Sequence, residues 1–445
     1  MSITAVGSTS FTALAAEALA DEDPELNALL DAELAGQRDT LAMVAYASLA
    51  APSVLACGAS ALANLTAEGY PGQRYHPGCE RLDAVEELAV SRAKAAFGAR
   101  YANVQPHSCS SANLAVLFSL LDPGDTLLGL DLDSGGHLTH GSPASVTGRY
   151  FNAVAYGLGP DGLIDHDQVR DLALRHRPKV IVAGASAYPR AFDYPAFRAI
   201  ADEAGAYLLA DISHIAGLVA GGVLPSPIDH AHVTTTSTYK QLGGPRGGLI
   251  LSGAEHLSSG PSGGLPLARR LDRAVFPASQ GTLHPAGIAA KARALALVAA
   301  PEFRELAARI ALDARELAAA LAGLGWRVLT GGTETHMVLL DTAARGLPGG
   351  AAERALESAG ILANRNRIPR DAGHPGRTSG LRFGTNVLAQ RGMGPAEMRH
   401  CAVLADRVLN SLEAPGLVLP AGLRRSVRHE VAALCTRFPV PGYSA

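Results

Sequence analysis

A chain of 445 residues with 48% hydrophobic side chains and a formal net charge of -3 has the apolar material for more than one core. It is neither a disordered polyelectrolyte nor a basic nucleic-acid binder, so two domains sharing a crevice are expected, with small metabolites as partners. Five cysteines (Cys57, Cys79, Cys109, Cys401, Cys435) are odd in number and lack C-x-x-C spacing, which argues against a disulfide framework or zinc site and for a reducing cytoplasm. Met1 to Ala20 lacks a basic n-region and carries Glu17, and no uncharged run of about 18 residues follows, so neither an export signal nor a membrane span is expected.

Asp23 and Pro24 open a polar helix, and a second helix is predicted over 52–64, ahead of the glycine-bearing AEGYPGQRYHPGCE. From Leu82 the pattern alternates. Helical LDAVEELAVSRAKAAF precedes YANVQPHSCSSAN. The strand TLLGLD, a loop, helix DHDQVRDLALRH, strand KVIVAGA, helix PAFRAIADEAG and strands AYLLADI and HVTTTST follow. Short β-rich runs separated by helices predict βαβ units and a buried, mostly parallel sheet. GLILS adds a strand, joined to HVTTTST by a glycine-rich turn. Beyond about Ala286, alanine-rich helices are interrupted by RVLTGG, HMVLLDT and GLRFGT, the pattern of a smaller α+β domain. The expected division is an N-terminal helical segment at 1–51, an α/β large domain at 52–285 and a C-terminal α+β domain at 286–445. PRDAGHPGRTSG is a long loop of the kind that carries function.

The stretch VTTTSTYKQLGGPRGGLIL puts Lys240, one of few lysines, directly after a β-branched strand, where open α/β sheets place their ligand crevice. Burial there would lower its pKa and free it to form a Schiff base with a carbonyl, the attachment used by pyridoxal phosphate. The neighbouring hydroxyls, Thr238 among them, are placed to donate to a phosphate that the glycines let backbone N–H groups approach. The competing reading is an exposed lysine in a turn. Asp211, ending an apolar strand, needs a cationic partner if buried, and a protonated pyridine nitrogen is one. A capped core aspartate is the other reading. GGHLTHG offers His137 behind two glycines; with His140 it also suggests a metal, although no thiol or carboxylate lies close in sequence.

Lys240, Asp211 and His137, with the words AEGYPGQRY, GCERLDAVEELAVSRAKAAFGARYANVQPHS, GGHLTHGSP, SAYPRAFDYPAFRAIADEAGAYLLADISHIAGLVAGGV, TTSTYKQLGGPRGGLIL and TSGLRFGTN, resemble the serine hydroxymethyltransferase family of fold-type I pyridoxal-phosphate enzymes. The resemblance implies an α/β, aspartate-aminotransferase-like large domain with a mostly parallel seven-stranded sheet and a smaller α+β domain. It implies pyridoxal 5'-phosphate as cofactor, tetrahydrofolate as a further ligand, and a homodimer or dimer of dimers with shared active sites. Lys240 matches the Schiff-base lysine, Asp211 the partner of the pyridine nitrogen and His137 the ring-stacking imidazole. Ser110 and Ser186, with Cys109, Thr238 and Ser279, match cofactor contacts, and His214 lies near the ring oxygen. Arg382 matches the arginine that grips the substrate carboxylate bidentately. Glu68 matches the catalytic glutamate that handles a proton at the substrate hydroxyl or the folate. Tyr75 lies in the loop that reaches the neighbouring subunit, and Asn366, Leu132, Gly136 and Leu138 match folate contacts.

The departures from that pattern lie on the substrate side. Tyr46, Ala47 and Ser48 stand where the family has serine, glutamate and asparagine, so a phenol replaces a small hydroxyl beside the substrate carboxylate. Thr66 replaces a tyrosine, His76 and Pro77 replace a tyrosine and a glycine, and Tyr239 replaces the histidine before the lysine. FPASQGT puts Ala278, Ser279 and Thr282 in a glycine-rich segment that approaches the partner's phosphate. The chain is therefore expected to be a divergent paralogue with a rebuilt substrate pocket, performing aldol-type or hydroxymethyl transfer at Cα in specialised, antibiotic-type metabolism. β-Elimination or decarboxylative deamination of an S-substituted cysteine conjugate is the alternative. An ordinary housekeeping hydroxymethyltransferase and a non-catalytic homologue are the remaining ones.

Overall fold

The computed structural model describes residues 8–371, 378–412 and 417–443. Its centre is a seven-stranded sheet in the order Tyr101–Asn103, Gly248–Ser252, Val233–Ser237, Tyr207–Asp211, Val180–Gly184, Thr126–Leu130, Asn152–Tyr156. The last five strands run parallel, and Gly248–Ser252 lies antiparallel to both of its neighbours. Parallel strands are covered on both faces, which is why the runs VIVAG and YLLAD are wholly buried. The strand VTTTS is buried too. Its β-branched carbons suit the pleat, and two of its hydroxyls find internal acceptors: Thr235 donates to Asn113 Oδ1 at 2.6 Å and Thr236 to the Ser237 carbonyl at 3.1 Å.

Helices cover the sheet. Tyr194–Ala204, capped by Asp193 and ended by the left-handed Gly205, buries Phe197, Ile200 and Ala201. Glu80–Phe97 packs against Pro285–Val298. The helix predicted over 52–64 is two pieces, Pro52–Gly58 and a 3-10 turn Ala61–Asn64, broken at Ala59 and Ser60. Helix Ser8–Glu22 and edge strand Asn152–Tyr156, mostly exposed, are elements the sequence pattern does not announce.

Four antiparallel strands, Arg327–Val328, Met337–Asp341, Gly380–Gly384 and Asn364–Asn366, form a second sheet with helices Pro301–Gly323 and Gly349–Ser358 against it. Its core, with Trp326, Leu381, Phe383 and Met398, is separate from that of the large sheet. Leu41 and Ala42 pair with Ile361 and Leu362, so the chain before residue 52 joins this second layer in space. We propose domain boundaries at 51 and 285, with the segment before residue 52 attached to the second layer. No helix among the described residues is long and apolar enough to cross a membrane. The middle of the loop PRDAGHPGRTSG, 372–377, lies outside the described residues.

In helix Pro301–Gly323, Asp313 is fully buried, and among the described residues neither carboxylate oxygen has a hydrogen-bond partner. Burial pushes its carboxyl up to about 7, against the pull of Arg309. A carboxyl raised in the folded state keeps a proton that the unfolded chain has already released. It therefore costs stability progressively as pH climbs from the ordinary carboxylate range to about 7. Asp313→Asn is expected to gain on the order of 1 to 3 kcal/mol at pH 8 and little at pH 4. Thermal melting at the two pH values checks this, and equal shifts at both would contradict it.

Candidate active site

The ends of two parallel strands and the start of one helix converge. Asp211 closes its strand, Ser213 and His214 follow it, Lys240 follows Val233–Ser237, and Cys109 opens helix Cys109–Leu120. The neighbouring strand comes so close that residue 184 must be glycine: a Cβ there would stand 2.6 Å from the Asp211 carbonyl oxygen.

The buried Asp211 carboxylate accepts hydrogen bonds on both oxygens. Asn113 Nδ2 at 2.8 Å and His140 Nε2 at 3.1 Å reach Oδ2, while the Ser213 hydroxyl at 2.6 Å and its N–H at 3.0 Å reach Oδ1. Burial alone would raise this carboxyl, but the hydrogen bond and charge of His140, with the hydrogen bond of Ser213, outweigh it and hold the group ionised, far below the usual range. The Cys109 thiol lies 3.7 Å from Oδ1; burial and the carboxylate push it up, so it is neutral packing, not a nucleophile.

Lys240 is buried, and burial lowers its amine to about 8 against the opposing field of Asp211. A neutral fraction is thus present near pH 7, the form that attacks a carbonyl. His137 precedes the turn Leu138–His140; its Nδ1 is 2.8 Å from the Thr139 hydroxyl and accepts the Thr139 N–H at 3.2 Å. Burial lowers this imidazole to about 4, so it is neutral. The potential ligand atoms of His137, His140 and Asp211 lie within 4.8 Å of one another. The carboxylate missing from the local sequence of the two histidines arrives from 71 residues away. His214 is buried and stacked on His336 at 6.0 Å, with Nδ1 unpartnered among the described residues; burial, then Lys240 and Arg382, lower it.

Arg382 reaches in from the second sheet. It donates to Asn364 Oδ1 at 3.1 Å and to the Ser186 carbonyl, with its guanidinium 5.6 Å from the centre of the Tyr46 ring. Burial lowers it to about 10, which still leaves a cation at neutral pH.

The remaining expected residues are placed differently. Glu68, Tyr75 and the segment 276–282 form a second group: a Cβ at Gly281 would stand 3.1 Å from Glu68 Oε1, and Tyr75 lies 5.6 Å from the Phe276 ring. Tyr75 is 76% exposed. Thr66 and Ser279 are exposed, and His76 keeps a buried Nδ1 without a partner among the described residues. The segment 276–282 is tied to the large domain by Gln280 Nε2, which donates to the Gln105 carbonyl at 3.1 Å, and by the Thr282 carbonyl, 3.1 Å from His107 Nε2. Tyr239 lies under the Arg246 guanidinium at 4.3 Å, and the Asn366 amide bonds the Arg367 carbonyl.

Thr238 donates to the Pro245 carbonyl at 2.6 Å and Ser237 to the Ser213 carbonyl at 3.2 Å, so both hydroxyls have acceptors within the protein. The glycine turn also serves packing: a Cβ at Gly247 would stand 2.2 Å from Lys291 Cε. Ser110 remains exposed in the first turn of Cys109–Leu120, where backbone N–H groups favour an anion. Sequence reasoning misses Asn113, Thr139 and Ser213. Asn113, a polar residue inside an apolar helix, is the one with a readable signal.

These residues fit pyridoxal phosphate. A weakly basic amine could take the aldehyde, an ionised carboxylate the ring nitrogen, the orphan His214 Nδ1 a ring substituent, and the helix start with Ser110 the phosphate. The family model of serine hydroxymethyltransferase matches residues 19–405. The chain is 47% identical over 435 residues to the serine hydroxymethyltransferase of Synechococcus sp. (strain JA-3-3Ab), covering 95% of this chain and 96% of the relative. It is 46% identical to those of Zymomonas mobilis subsp. mobilis and Nostoc punctiforme, over 95% of this chain and 96% and 95% of theirs. The matched region spans both sheets and the whole convergence around Asp211, and the chain belongs to the serine hydroxymethyltransferase family of pyridoxal-phosphate-dependent enzymes, whose co-substrate is tetrahydrofolate.

Proposed function

We propose that the chain performs an aldol-type transfer at the Cα of an amino acid, as hydroxymethyl transfer or with a larger aldehyde, in a pocket reshaped by Tyr46. The observation that carries this reading is the buried Arg382 guanidinium with the phenol ring 5.6 Å away. Bound pyridoxal phosphate supplies the sink for negative charge at Cα. Arg382 grips the substrate carboxylate and so selects which Cα bond is presented for cleavage. Asn364 and the Ser186 carbonyl hold that guanidinium in place. Neutral His137, fixed by Thr139, offers an uncharged ring face, and Asp211 stays ionised through His140 and Ser213. Glu68 handles the proton at the substrate hydroxyl. Its contacts lie with 276–282, which supports a homodimer, or a dimer of such dimers, in which Glu68, Thr66, Tyr75, His76 and Ser279 serve the site of a second copy. We read the protein as serving specialised metabolism, on the strength of the altered residues around the substrate, and as cytoplasmic, in keeping with its five free cysteines.

The phenol competes with a carboxylate for Arg382, since a cation near an aromatic face gains about 0.5 to 2 kcal/mol. Tyr46→Ser is expected to raise kcat/KM for serine about tenfold and to lower it for bulkier β-hydroxy amino acids. Steady-state kinetics of the holoenzyme with serine and phenylserine, with and without tetrahydrofolate, measure both. Inertness toward every β-hydroxy amino acid, with release of pyruvate and ammonia from an S-alkyl cysteine, would replace this reading with β-elimination.

A further inference from the structure

Two walls rise from Arg382. One runs through Ser186 to Gly135, whose carbonyl accepts the Ser186 and Ala187 N–H groups at 2.7 and 3.1 Å. The other runs from Asn364 along the strand Asn364–Asn366. Asp133 lies two residues before Gly135, and Arg367 directly follows Asn366. Their side chains meet, with Arg367 Nη1 2.7 Å from Asp133 Oδ1. The ring of contacts that begins at Arg382 is closed by this ion pair, and the exposed Leu132 adjoins it.

We propose that the Asp133–Arg367 pair is a clasp across the entrance, narrowing it against a bulky co-substrate while small amino acids pass. This rests on the reading of the Arg382 cleft as the substrate site. Arg367 is steadied by a second bond, from Nη2 to the Asp371 carbonyl at 3.2 Å, and the Asp371 carboxylate is fixed by the N–H groups of Ile368 at 3.2 Å and Ser379 at 2.8 Å. On the other wall, Gly135 has φ 99, and a Cβ would stand 2.6 Å from the Ala187 carbonyl oxygen, so the turn carrying Asp133 sits tight against 186–187. The two side chains are 17% and 30% exposed. A pair so placed is strong enough to bias an opening and weak enough to break in each turnover.

The test uses four holoenzymes: wild type, Asp133→Asn, Arg367→Gln, and the reversed pair Asp133→Arg with Arg367→Asp. KM is measured for tetrahydrofolate in the transfer reaction and for a small β-hydroxy amino acid in folate-independent cleavage. Each single variant is expected to lower the tetrahydrofolate KM about fivefold with the amino-acid KM within about twofold, and the reversed pair to return toward wild type. Added salt lowers the folate KM of the wild type alone, because screening opens the same pair. A wild type inert with folate that gains folate turnover in the single variants supports the clasp as well. A folate KM unchanged or raised in both single variants overturns it. Failure of all four folded, cofactor-loaded proteins to cleave any β-hydroxy amino acid overturns the functional reading instead. Calorimetric titration with tetrahydrofolate then still decides the clasp: affinity higher in the single variants supports it, and equal or lower affinity rejects it.

Discussion

Asp211→Ala is expected to yield a folded protein that loses pyridoxal phosphate on dialysis, together with its visible absorbance, and whose turnover falls by roughly a hundred- to several-thousand-fold. The magnitude follows from the surroundings. Removing one member of a buried charge set costs about 3–5 kcal/mol, and each 1.4 kcal/mol is a factor of ten. Here the carboxylate is buried, and its loss strands donors on Asn113, His140 and Ser213. Asp211→Asn separates charge from shape, since it keeps the volume and an acceptor oxygen but cannot balance a protonated ring nitrogen. That variant is expected to keep much of its cofactor and still lose at least about a hundredfold in kcat. Wild-type kcat in Asp211→Asn would remove the carboxylate from its assigned role. Melting of the cofactor-free proteins supplies the control: a loss of stability equal in the presence and absence of cofactor marks Asp211 as a core residue only.

The sheet and the residues at its strand ends were legible because a buried parallel strand writes itself as an unbroken apolar or β-branched run. A polar residue closing such a run, as Asp211 does, then announces a site. Lys240 was legible for the same reason, standing just beyond the buried VTTTS strand. Elements held mainly by pairing were not legible. Asn364–Asn366 reads NRN and becomes a strand only through its ladder to Gly380–Gly384, and Asn152–Tyr156 lies at the sheet edge, mostly exposed, with small side chains that mark no buried run. The partners of Asp211 were hidden by distance along the chain: Asn113 comes from 98 residues away and His140 from 71. The clasp was equally invisible, because nothing in the local sequence of Asp133 points to Arg367.

Arg382→Ala is the variant expected to act most on substrate recognition, lowering kcat/KM for α-amino acids by about 30- to several-thousand-fold. Truncating one partner of a buried, hydrogen-bonded charge pair costs about 2–5 kcal/mol, and the substrate carboxylate has lost its cation. Arg382→Lys is expected to recover only a small part. An ammonium cannot form the forked pair of bonds, and the lysine cannot reach both the Ser186 carbonyl and Asn364 as the guanidinium does. The variant also strands those two acceptors, so a structural loss has to be told apart from a lost substrate contact. An amine lacking the carboxylate does this: if Arg382 acts through that group, ethanolamine binds wild type and Arg382→Ala alike, while serine binding collapses in the variant. Equal losses for both ligands would show that Arg382 serves as a strut between the two sheets, and the carboxylate site would have to lie elsewhere.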